Sequence, residues 1–210
     1  MKPTDAPISY LRFFNALPTA DNFDLYLDDH KCTKDWLYED FTPYKPLTPG
    51  EHQLTLMPYR SQEPLYTRSF WVSAQKVYTL VLTYLPQTTD IQGYLINDPP
   101  KKIPEEQLLI RVANFSQHTS PLTMHLVDTK PIFKKVPLRQ AGSYLGFLPT
   151  TAAIELLEIE NQTLLATTPS NTFKISRYYT LYIIGGTEDY PLKWVQTIDG
   201  NSFIHFDPNP

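Results

Sequence analysis

The sequence predicts an all-β chain built as two tandem antiparallel β-sandwich domains. Three observations lead there. A set of short motifs recurs at a near-constant interval, apolar residues alternate at a period of two, and the composition favours pleated surfaces over helices. The 210 residues include 14 Tyr, 11 Phe, 3 Trp and 20 Pro against 7 Gly. Aromatic residues suit a half-buried pleated surface, and prolines suit its edges and turns.

The interval is read most directly from Tyr10-Leu11-Arg12-Phe13-Phe14-Asn15 and Leu109-Ile110-Arg111-Val112-Ala113-Asn114, whose arginines lie 99 residues apart (111 − 12). Such a period is sought first, because missing it mis-assigns the whole fold. Alternating runs follow in each copy: Phe23, Leu25 and Leu27 answer Leu122, Met124 and Leu126. Tyr44 answers Tyr144, Leu54 and Leu56 answer Ile154 and Leu156, and Val77-Tyr78-Thr79-Leu80-Val81-Leu82 answers Tyr178-Tyr179-Thr180-Leu181-Tyr182-Ile183. Ile96-Asn97-Asp98 answers Thr197-Ile198-Asp199. The common order points to duplication, with small insertions placed in loops, which tolerate them.

Element by element, strands are predicted over residues 8–15, 23–27, 36–41, 53–57, 65–72, 77–84 and 91–96. Asp28-Asp29-His30-Lys31 reads as a turn. Pro43, Pro46 and Pro49 make a stiff, non-helical connection ending in a Pro49-Gly50 turn. Seven short strands at even spacing fit a sandwich of immunoglobulin-like size. Pro99-Pro100 marks a short stiff linker, so the domains are placed at residues 1–99 and 100–210. The second copy runs from about Leu108 to Ile184, Gly185-Gly186 turns the chain, and a last strand covers 192–198. One short helical turn is expected at Pro104-Glu105-Glu106-Gln107. The tail from Asn201, with Phe203 and Phe206, is expected to pack back on the second domain, and Met1 to Pro7 and Pro208 to Pro210 to be frayed.

Arg-x-x-Asn, the alternating strand with Asp24, Tyr44 before Pro49-Gly50, and Tyr78-Thr79-Leu80-Val81 together resemble a bacterial domain-of-unknown-function family numbered 4397. The resemblance covers nearly the whole chain. Copy two departs from it at Thr150, where copy one has Gly50, and at Thr123, where copy one has Asp24. It implies tandem immunoglobulin-type sandwiches of surface or envelope proteins, with no reaction and no catalytic residues.

Charge and cysteine content exclude several classes. Net charge is −4, and Lys101-Lys102 and Lys134-Lys135 are the only basic clusters, so no face suits nucleic acid. Cys32 is the single cysteine and cannot form an intrachain disulfide. No signal peptide and no apolar run long enough for a bilayer is visible, so the location expected by default is the cytoplasm, with a cell-surface or spore-type assembly as the alternative.

Each candidate for chemistry has a structural counterpart that outweighs it. Arg12 and Arg111 could hold an anion, but a repeated arginine in an apolar strand fits a solvent-facing stem or a pair with an acid. Tyr44 and Tyr144 fit a tyrosine corner, hydroxyl to backbone. Asp28, Asp29, His30 and Cys32 are the densest group of potential ligands, but a zinc site wants a second pair, and copy two offers Val127-Asp128-Thr129-Lys130 there. Glu155, Glu158 and Glu160 read as a solvated strand end rather than a glycosidase pair. No nucleophile elbow, phosphate loop or dinucleotide fingerprint occurs, so no catalytic residue, metal or cofactor is assigned. Asn114-Phe115-Ser116 and Asn161-Gln162-Thr163 match the glycosylation pattern.

The aromatic content carries the functional expectation. Tyr26, Trp71, Tyr182 and Trp194 are placed in outward phase as a contact surface. The leading expectation is a non-enzymatic structural or protein-interaction module that binds a protein partner or a second copy. A carbohydrate-binding module stacking sugars on exposed aromatics is the alternative, and a hydrolase the third reading.

Overall fold

A computed structural model describes residues 7–126 and 131–206. The expectations for residues 1–6, Val127-Asp128-Thr129-Lys130 and Pro208 to Pro210 lie outside the described residues. The chain divides into two compact units. The first holds the described residues up to Tyr84, with Asp90–Pro99 and the described tail from Phe203; the second holds Leu85–Thr89 and Pro100–Ser202. The tail thus belongs to the first unit, where Phe203 lies 5.9 Å from the Tyr44 ring and Phe206 6.0 Å from the Tyr10 ring.

The first unit is a sandwich of eight strands: β1 (Ser9–Asn15), β2 (Phe23–Leu27), β3 (His30–Trp36), β4 (Lys45–Leu47), β5 (Gly50–Pro58), β6 (Tyr66–Val72), β7 (Val77–Tyr84) and β8 (Ile91–Asn97). One sheet runs β4-β1-β7-β8 and the other β3-β2-β5-β6. Alternation places Leu11, Phe13, Tyr78, Leu80 and Leu82 of the first sheet against Phe23, Leu25, Leu54, Leu56 and Val72 of the second. The sheets are not purely antiparallel: β1 pairs with β7 in parallel, Arg12 opposite Thr79. Parallel neighbours need a long crossover, and the excursion through β2, β3, β5 and β6 supplies it.

Two expected elements move. The third strand is β3, not 36–41. Asp28 (φ 49°) and Asp29 (φ 62°) both take the left-handed conformation, which closes a two-residue hairpin and restarts the chain as strand at His30. Beyond Trp36 the chain leaves the sheet, with Glu39 at φ 76°. The stiff connection also contains a strand, β4, whose Pro46 is tolerated because β4 is an edge.

The second unit contains β9 (Leu108–Asn114), β10 (Leu122–Leu126), β11 (Pro131–Val136), β12 (Gln140–Ala141), β13 (Leu145–Phe147), β14 (Thr150–Ala152), β15 (Ile154–Glu158), β16 (Leu164–Thr167), β17 (Asn171–Phe173), β18 (Tyr178–Ile184) and β19 (Lys193–Ile198). One sheet runs β12-β9-β18-β19, with β13 also on β9, and the other β11-β10-β15-β16. Here too the first strand pairs in parallel with the central one, Arg111 opposite Thr180. Leu108, Ile110, Val112, Tyr179, Leu181 and Ile183 meet Leu122, Met124, Ile154, Leu156 and Phe173 in its core. The long β5–β6 hairpin has no continuous counterpart, since β14 pairs with β17 apart from β15 and β16. Residues 104–107 form a turn, not helix: Gln107 N–H donates to the Pro104 carbonyl and Glu106 stands at φ 58°.

Candidate functional site

The repeated motifs converge on a buried polar group in each sandwich. In the second, Arg111 Nε donates to Thr180 Oγ1 at 2.8 Å, and Thr180 Oγ1 donates to Asp199 Oδ2 at 2.5 Å. Tyr144 Oη donates to the same carboxylate oxygen at 2.7 Å, with Arg111 Nη2 3.9 Å away. The Tyr144 ring lies 4.6 Å under the guanidinium. In the first, Arg12 Nε donates to Thr79 Oγ1 at 3.0 Å, Tyr44 Oη donates to Asp98 Oδ2 at 3.2 Å, and the guanidinium lies 4.7 Å from both the Tyr44 and Phe41 rings. Arg12 is 4% and Arg111 2% exposed, so neither is a solvent-facing stem; each sits in a cage of an acid, a threonine and aromatic rings. The motif's asparagine closes the strand. Asn15 Oδ1 accepts from Leu17 N–H and Asn114 Oδ1 from Ser116 N–H, local turns typical of Asn. Asn114 is buried, which explains its repetition by packing rather than by modification.

The tyrosine-corner expectation shifts to other residues. Tyr44 and Tyr144 reach a carboxylate, whereas Tyr78 Oη accepts from Ser73 N–H (3.3 Å) and Tyr179 Oη from Lys174 N–H (3.0 Å). A Tyr44→Phe change removes one donor to a buried carboxylate, and is expected to cost the first sandwich about 1.5 kcal/mol, read as a lowered Tm with partner binding unchanged.

The four candidate contact aromatics do not form one surface. Tyr182 is fully buried, because β18 is a central strand covered on both faces; its ring stacks on Phe115 at 6.4 Å. Trp194 is buried in the second core, opposite Ile183. Tyr26 is half-buried on the outer face of the β3-β2-β5-β6 sheet, where the Lys31 ammonium covers its ring at 5.2 Å and pairs with Asp24 at 2.6 Å. Trp71 alone is open, 67% exposed on the edge strand β6. It faces Glu51 across the pair, and the same face carries Gln53 opposite Ser69 and Thr55 opposite Thr67.

The Asp28 cluster gains a member that sequence reading missed. His52 lies on the inner phase of β5 with Leu54 and Leu56, and a buried histidine needs partners. Its Nδ1 is 2.6 Å from Asp28 Oδ2 and its Nε2 2.8 Å from the Thr48 carbonyl, so both ring nitrogens have a partner. Asp28 Oδ1 also accepts from Gln53 N–H at 2.9 Å. Partial burial would raise the Asp28 pKa, but the bonds from Gln53 and His52 overcome it and hold the carboxyl below its usual value. A folded pKa below the unfolded one means the unfolded chain binds more protons. The stabilisation is therefore complete above about pH 4 and lost as pH falls through the folded value. Asp28→Asn should lower Tm at pH 7, with the gap to wild type closing as pH drops below about 4. Cys32 is partly buried, which pushes its thiol pKa up. No group of three or more His, Cys, Asp or Glu could hold a metal among the described residues. Glu158, another sequence candidate, is held by Asn161 (2.8 Å), with His118 Nε2 at 3.4 Å.

No helix among the described residues is long and apolar enough to cross a membrane. No curated protein matches the chain. Among solved structures it is similar to family 41 carbohydrate-binding modules from streptococcal virulence factors, described for α-glucan recognition, at 13% identity over 86% of this chain and 95% of that one, TM-score 0.27. It is also similar to a family 26 carbohydrate-binding module of Eubacterium rectale Amy13K in complex with maltoheptaose (8% identity, 92% and 99% covered, TM-score 0.26). A DUF3823 family protein of Bacteroides ovatus matches at 10% identity over 80% of this chain and 100% of that one, TM-score 0.23. At these TM-scores the likenesses carry no argument about this chain. The match that does spans residues 9–125, from β1 of the first sandwich to β10 of the second, and by it the chain belongs to the family described as domain of unknown function (DUF4397).

Proposed function

We propose that the chain is a non-enzymatic interaction module whose contact surface is the β6 side of the first sandwich, centred on Trp71. The observation that carries this is the open indole on an edge strand. Exposed tryptophan is rare on monomers and enriched where partners bind. The polar clusters support the non-enzymatic reading, because their groups are engaged with one another. Arg111, Thr180, Tyr144 and Asp199 are buried together, and the Ser116 hydroxyl bonds Asn114 and the His118 carbonyl rather than a ring nitrogen. The setting we propose is a bacterial cell-surface or spore-type assembly, which rests on the family resemblance alone.

A second reading, polysaccharide binding, is favoured by the neighbours of Trp71. Gln53, Ser69, Thr55 and Thr67, beside Glu51, present uncharged hydrogen-bonding groups on the same sheet face. Against it stands that Trp71 is the one open ring of the four candidates, since Tyr26 is covered and Tyr182 and Trp194 are buried. The test immobilises the protein and offers native-host lysate and, separately, insoluble cell-wall polysaccharide. Stoichiometric retention of one protein, reduced roughly tenfold or more by Trp71→Ala, supports the interaction module. Retention on polysaccharide with the same dependence selects the second reading, and capture indifferent to Trp71→Ala removes this surface from consideration.

A further inference from the structure

The four sheet edges of the first sandwich are not equally protected. At mid-β8, Gly93 N–H donates to Tyr66 Oη at 2.9 Å, and its carbonyl accepts from Arg68 at 2.5 Å and Gln92 at 3.2 Å. β4 is three residues long and contains Pro46. β3 pairs with β2 through two register shifts, carries Lys31, Lys34 and Asp35, and has its Cys32 carbonyl taken by Lys45 Nζ at 3.2 Å. Bulges, prolines, charges and capping side chains are the devices that keep edges from pairing. Of these β6 has no bulge, no proline and no capping side chain among the described residues, only one charge. Its seven residues pair with β5 without a shift, from Gly50 opposite Val72 to Leu56 opposite Tyr66, and contain no proline. Its one charge, Arg68, is drawn to the Gly93 carbonyl.

We infer that β6 is a self-association edge: two copies of this chain pair β6 with β6, antiparallel about a two-fold axis through Ser69. This deepens the interaction-module reading and rests on it. The register follows from the strand itself. A two-fold perpendicular to the sheet keeps outer side chains with outer ones, and Ser69 is the midpoint of Tyr66–Val72, so pairing there engages all seven residues. Arg68 then faces Phe70 of the second copy, a cation beside a ring, and Thr67 faces Trp71, a β-branched–aromatic pair that covers the open indole. A two-fold through Arg68 would instead set guanidinium against guanidinium, which is unfavourable.

The test is sedimentation velocity on the full chain across the micromolar range, with a cross-linking arm. A concentration-dependent dimer is expected. Ser69→Lys, which sets two ammonium groups opposite each other on an exposed position, should weaken it roughly tenfold or more. In a Cys32→Ser background, Ser69→Cys should form a disulfide-linked dimer on mild oxidation, because opposed residues of an antiparallel pair have Cα atoms about 4.5–5.5 Å apart, within disulfide reach. Thr67→Cys in the same background should not, since Thr67 faces Trp71 rather than itself. A chain that stays monomeric with no Ser69→Cys disulfide overturns the inference; Trp71-dependent capture of a partner would then still leave the interaction module standing, and loss of both would remove both. A dimer that ignores Ser69→Lys and fails to cross-link places self-association on another surface and also overturns it.

Discussion

Asp199→Ala is expected to destabilise the second sandwich by about 3–5 kcal/mol, the range for stranding a buried charge. Asp199 is fully buried and takes hydrogen bonds from Tyr144 and Thr180, with Arg111 beside it. Removing the carboxylate leaves a guanidinium at 2% exposure beside an aromatic ring and a threonine whose proton has lost its acceptor. Amide exchange localises the effect: protection in β9 and β18 should fall by about two to three and a half orders of magnitude. The charge is the cause only if removing both partners is milder. Arg111→Met with Asp199→Leu should recover at least half of the loss, because replacing a buried pair by apolar groups is often close to neutral. A double variant as unstable as Asp199→Ala would assign the cost to shape and packing instead.

That group also shows how far the sequence could be read. Arg12 and Arg111, Tyr44 and Tyr144, and Asp98 and Asp199 each stand out as repeated residues. Their convergence could not be read, because it depends on the first strand pairing in parallel with a strand far along the chain. β2 and β7 are legible to the residue, since alternation and a fully apolar run are local signals. β3 and β4 are not: a polar edge strand has no apolar period, and Pro46 argues against a strand unless the edge is known. Reading Tyr182 as outward failed for the same kind of reason. Period two separates two faces of a strand but does not say that one meets solvent, and β18 is covered on both. His52 was missed because the strand predicted over 53–57 begins after it, and Asp28 reaches it through a hairpin whose two left-handed aspartates lack the usual Asn-Gly signature.

Gly185→Ala is the second large effect, expected at about 2–5 kcal/mol, and its cause differs. Gly185 follows β18 with φ +75°, where a side chain costs about 1–2 kcal/mol by itself. A Cβ there would also lie 2.8 Å from the Tyr190 carbonyl oxygen and closer still to that of Pro191. Both are backbone atoms, so no rotamer change relieves the contact, and overpacking adds about 1–3 kcal/mol. The displaced segment leads directly into β19, which pairs with β18 from Ile184–Lys193 onward, so exchange protection should fall first at that end of the pair. Gly50 supplies the control. Its φ is +136°, but nothing lies within 4 Å of a Cβ added there, so Gly50→Ala should carry only the conformational cost. A Gly185→Ala loss of no more than about 1–2 kcal/mol, the left-handed cost alone, would mean that the Tyr190–Pro191 turn moves aside freely. A loss several-fold larger fixes the close backbone approach, rather than the left-handed angle, as the reason glycine stands there.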